Sequence, residues 1–241
     1  MSDFPGFGPE APRFLRRLAR NNRREWFEAH RDEYERDVAG PLRALVEEVD
    51  VRLAEIAPEF VGDPRRSPFR IHRDVRFSND KRPYKTNVAC RFFHRDAGAR
   101  AQGTDAAAAA GFYFQMGVEP GDGYAAAGLW APPAPALAAI RRRLEEDAEG
   151  FEGIVLSRAF RRTAGDLDEE LMLKRLPRGV APGHPAERWL RFRSFTVTRE
   201  MEPAELLGPA LPDRLADFYR ATLPFVRWLN AALGLRAHAR R

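Results

Sequence analysis

The chain has 241 residues, 44% hydrophobic and 31% charged, with a net charge of +5 and one cysteine. That is length enough for a sizeable core, and no internal disulfide is possible. No apolar run reaches membrane-spanning length, and no basic start followed by an apolar stretch marks a signal peptide, so no transmembrane helix and a cytoplasmic chain are expected.

Residues 1–10 are rich in Gly and Pro and read as a loose arm. A helix is expected over residues 12–20, with Phe14, Leu15 and Leu18 on one face, and Asn21-Asn22 stops it. A second helix over residues 23–38 aligns Trp26, His30 and Tyr34 four apart. That stripe either packs into the core with His30 at its border or faces a basic site. Gly40-Pro41 restarts the chain, and Leu42, Leu45, Val46, Val49, Leu53 and Ile56 give the best helical pattern in the sequence.

Residues 69–77 read as a strand. Phe69, Ile71, Val75 and Phe77 share one parity with Arg73, while Arg70, His72, Asp74 and Arg76 take the other. Such a charge set is expected on a central strand, where scaffolding on both sides keeps it ordered. Residues 87–94 form the next strand, and residues 96–110 an exposed low-complexity loop. Strands over residues 112–118 and 124–130 flank the turn Pro120-Gly121-Asp122-Gly123 and make a hairpin. Helices follow from Pro132-Pro133 and over residues 148–160. Residues 171–185 are irregular, and residues 191–198 form a fifth strand. A last helix runs from Pro212 to about Leu233, kinked or split at Pro224. The expected fold is α+β: a mainly antiparallel sheet of five strands flanked by N- and C-terminal helices, in a single domain spanning residues 1–241.

Basicity is local. Residues 64–86 hold eight bases against two acids, and the rest of the chain is close to neutral. Within it the pattern Arg-x-x-Arg-Asp-x-Arg-Phe-x-x-Asp-Lys-x-x-Tyr runs through Arg70, Arg73, Asp74, Arg76, Phe77, Asp80, Lys81 and Tyr84. It closely resembles the signature of the bacterial domain-of-unknown-function family numbered 2461. Phe14-Leu15, Asn21-Asn22, Trp26-Phe27, the strand ending at Gly128, Lys174 with Pro177-Arg178-Gly179, and His184-Pro185 extend the resemblance. One departure is Gly128-Leu129-Trp130, where the family usually shows Tyr in the third place. The resemblance implies one domain of about this length and no assigned activity.

The chemistry must come from the residues. Arginine forks match carboxylate and phosphate oxygens, and lysine adds a point charge. Arg70, Arg73, Arg76, Lys81 and Lys85 are therefore expected to bind a small phosphorylated or otherwise anionic ligand. Asp74, Asp80 and Tyr84 are the candidates for acid–base work. Arg73 either lies buried against a carboxylate of the early helices, such as Glu25, or turns outward at Asp74 to join the ligand. His72, Asp74, Asp80, His30, His94 and His184 show no metal-ligand spacing, so no metal is expected. No cofactor fingerprint is present. Cys90 reads as core. Two other readings stand beside the small-ligand one. The same basic surface suits a nucleic-acid backbone, or Asp74 and Asp80 tie the arginines into a structural network of a protein-interaction domain.

Overall fold

A computed structural model describes residues 4–76, 79–97 and 109–237. Its centre is a five-stranded antiparallel sheet in the order β1 (Phe60–Val61), β2 (Val88–His94), β3 (Gly111–Met116), β4 (Tyr124–Leu129) and β5 (Phe195–Glu200). Each strand pairs with the next in sequence. The N-terminal helices are α1 (Glu10–Arg20), α2 (Arg24–Ala29), α3 (Arg31–Tyr34) and α4 (Gly40–Ile56). Between β4 and β5 lie α5 (Ala134–Glu146), α6 (Ala148–Val155), α7 (Arg158–Ala164) and α8 (Glu187–Leu190), and α9 (Pro203–Leu206) and α10 (Leu211–Ala232) close the chain. The α+β expectation holds. Among the described residues no helix is long and apolar enough to cross a membrane.

The alternation along each strand divides the sheet into two faces. Val88, Cys90 and Phe92 of β2, Phe112, Phe114 and Met116 of β3, Ala125, Ala127 and Leu129 of β4, and Phe195 and Val197 of β5 are buried. They meet α4 and α10, which also pack on each other. The opposite face carries Arg91, Tyr113, Tyr124 and Thr198, all half-buried, and Gln115. One face of the sheet is thus core and the other meets solvent, as an antiparallel sheet permits.

Several local expectations change. The arm over residues 1–10 is not loose from Phe4 onward. Phe4 and Phe7 are buried, and the Phe7 ring stacks 6.4 Å from Phe114. The helix over residues 23–38 breaks at His30 and ends in a π-turn, Glu35–Ala39. Residues 148–160 divide into two helices at Ser157, whose hydroxyl accepts from the Phe160 amide as an N-cap. α10 runs unbroken through Pro224 rather than splitting there. Most of the expected loop over residues 96–110 lies outside the described residues. Its end is anchored, because Ala110 exchanges both backbone hydrogen bonds with the buried Asn230 side chain, at 2.8 and 3.2 Å.

Candidate functional site

Residues 69–76 do not form a central strand, and Phe77, the last residue of the expected strand, lies outside the described residues. The fifth strand is β1, and the basic segment runs along the β2 edge beside it. The Phe69 amide donates to the Ala89 carbonyl at 2.9 Å, and the Arg91 amide to the Ser67 carbonyl at 3.1 Å. Beyond Phe69 the chain leaves the sheet and folds on itself. The Arg73 amide donates to Pro83 O and the Lys85 amide to Ile71 O, both at 2.8 Å. The cause is local. Asp74 accepts from the Arg76 backbone amide at 3.2 Å, and Asp80 from the Arg82 amide at 3.0 Å. Short acidic side chains that capture nearby amides compete with a strand ladder, and Pro83 has no N–H to offer one.

The charges of this hairpin pair mostly with each other. Asp74 takes a forked pair from Arg76, at 3.0 and 2.7 Å. Asp80 accepts from Arg73 at 2.6 Å and from Arg82 at 2.7 Å. The Arg76 hydrogen bonds hold the Asp74 carboxyl down at about 2, and the Arg82 hydrogen bonds, with Arg73 adding, push Asp80 lower still. Both stay ionised across the working range. Lys81 donates to the Val75 carbonyl at 2.9 Å.

Tyr84 is held in the core. It is 1% exposed, and its ring stacks 4.2 Å from Phe27. Asn22 grips its backbone from both sides, donating to Tyr84 O at 2.9 Å and accepting from Tyr84 N at 3.0 Å. Tyr34 packs against Phe14 and Phe27, and His30 stacks on Trp26 at 4.0 Å, so that stripe is core lining. Arg73 pairs with Asp80 of its own hairpin rather than with Glu25.

Arg73 and Lys85 do meet, on the open face of the sheet. With Phe69, Thr86, Asn87, Ala89, Tyr113 and Gln115 they line a depression of about 430 Å³. Arg70, Arg76 and Lys81 lie outside it. Arg91 stands beside it, over both Phe69 at 5.9 Å and Phe93 at 5.6 Å. Lys85 stands 5.4 Å from the centre of the Phe69 ring. Sequence reasoning missed Arg91, Tyr113 and Gln115. Their signal was the parity of β2 and β3, which turns polar side chains to the face the helices leave uncovered.

Lys85 and Arg91 differ from the other bases. Both are half-buried, yet among the described residues neither reaches a carboxylate or carbonyl within hydrogen-bonding distance. Burial, with Arg73 adding, pushes the Lys85 ammonium below its ordinary value, and burial does the same to Arg91. Arg73 Nε is also buried without a partner. Beyond these cations, Tyr113 and Tyr124 stack at 5.7 Å. Burial raises both phenols, so they remain protonated. Among the described residues no cluster of His, Cys, Asp and Glu gathers as a metal site.

A family model described as a conserved hypothetical protein, DUF2461, matches residues 10–228. No curated protein and no solved structure matches the chain.

Proposed function

We propose, for a chain that belongs to the conserved hypothetical protein family DUF2461, that it binds a small anionic ligand on the open face of its sheet. The observation that carries the reading is the state of Lys85 and Arg91, two partly desolvated cations without an anionic partner among the described residues, beside an exposed aromatic ring. Desolvating a charge without pairing it costs free energy, and an anion seated between them and Arg73 offsets that cost. Phe69, 39% exposed, gives the ligand an apolar wall. No carboxylate or imidazole is among the described residues lining the depression, and binding rather than chemistry is the reading proposed.

Thermal melts with orthophosphate, sugar phosphates and nucleotides test it. The ligand raises stability by RT ln(1 + [L]/Kd), about 2.7 kcal/mol at a hundredfold excess over Kd. Lys85→Ala and Arg91→Ala abolish that rise, whereas Arg76→Ala and Lys81→Ala, away from the depression, keep it. Absence of any rise with every anion overturns the reading. A rise only with long oligonucleotides, falling steeply with salt, favours a nucleic-acid surface instead.

A further inference from the structure

The hydrogen-bonding capacity of the depression is fixed at its far end, and it narrows the ligand class. Gln115 Nε2 lies 3.2 Å from the Asp122 carbonyl, which can only accept, so that atom is the amide nitrogen and Oε1 points the other way. The Tyr113 hydroxyl donates to Oε1 at 2.8 Å, and the Tyr124 hydroxyl approaches the same oxygen at 3.4 Å. Each phenol has one proton, and the short bond commits that of Tyr113 to Gln115. What the Tyr113 hydroxyl still offers is lone pairs alone. An atom that settles against it must bring its own hydrogen.

The surroundings agree. Asp168, held by the Thr198 hydroxyl at 2.8 Å, acts on Tyr124 together with Asp122 and Glu170. The face is therefore basic around Arg73, Lys85 and Arg91 and acidic beyond Tyr124. A second anionic group is disfavoured at the acidic end, and a polarised O–H or N–H is favoured.

We infer that the ligand is an anion whose body carries hydroxyl or amino donors, of the class of sugar phosphates and sugar acids, with its anionic group at Lys85 and Arg73 and its donors at Tyr113. This rests on the anion-binding reading. It is tested by calorimetry with probes matched in charge: glycerol phosphate against phenyl phosphate, and gluconate against benzoate. The donor-bearing member of a pair binds at least tenfold tighter. Tyr113→Phe removes roughly three- to tenfold of that preference, the worth of one neutral hydrogen bond, and leaves phenyl phosphate unchanged. A preference in one pair only supports the inference and identifies the anionic group. Equal binding within both pairs, insensitive to Tyr113→Phe, overturns the inference and leaves anion binding standing. No binding by any of the four probes overturns both.

Discussion

Tyr84 shows how a residue can sit inside a functional-looking motif for structural reasons. It is buried against Phe27, and Asn22 fixes its backbone, so the hairpin base is welded to the corner between α1 and α2. Tyr84→Ala is expected to lower unfolding free energy by about 3–5 kcal/mol, the usual cost of truncating a buried aromatic. Asn22→Ala costs about 1–3 kcal/mol, since two backbone groups lose their partners. Urea melts measure both, and anion affinity per folded molecule is unchanged in Asn22→Ala. Arg73→Ala leaves the urea midpoint near wild type and weakens the anion. Lys85 sets the pH response. Its folded pKa lies below the ordinary 10.5, so the folded chain holds fewer protons than the unfolded one and this lysine's penalty fades as pH rises toward 10.5. A bound anion pulls that pKa back up. Affinity is therefore full below the lowered pKa and falls as pH climbs through it, while Lys85→Arg holds its affinity to higher pH. Calorimetry across a pH series, in buffers of different ionisation heat, reads the fall and the proton uptake.

At the scale of elements, α4, the hairpin of β3 and β4, and the start of α10 were legible because their apolar spacing and turn residues agree. The basic segment was not. Its alternation of Ile71, Arg73 and Val75 fits a strand, but alternation records only which side chains could share a face. Here the backbone amides of Arg76 and Arg82 are captured by Asp74 and Asp80. Two of the five expected binding residues, Arg73 and Lys85, reach the depression because the hairpin turns them back over the sheet. Arg91 and Tyr113 face each other across β2 and β3, a relation of register that no single segment contains. α10 continues through Pro224 for another reason. Pro224 faces solvent while Leu223, Phe225 and Val226 are buried, so packing carries the helix past the missing hydrogen bond. Pro224→Ala is then expected to stabilise the fold by about 1–2 kcal/mol. It restores a donor for the Arg220 carbonyl and forfeits part of that gain through the freer unfolded chain. Guanidinium melts check the sign.

Across the whole molecule, pairing between neighbours in sequence meets contacts between distant parts. Every strand pairs with its neighbour in sequence, but β3 and β4 need only a tight turn whereas four helices lie between β4 and β5. The buried side is different: α4 and α10 lean on each other although more than half the chain separates them. Glu59, 1% exposed, waits for Arg227, which reaches it at 2.7 and 3.1 Å. On a ribosome, β1 to β4 can pair as they emerge, but the side of α4 that α10 covers stays open, and the Glu59 carboxylate unmatched, until α10 has left the tunnel. The late helix is thus a clasp in time as well as in space. A nascent chain halted before it is a sticky half-product, and the cell's quality-control machinery would meet it as one.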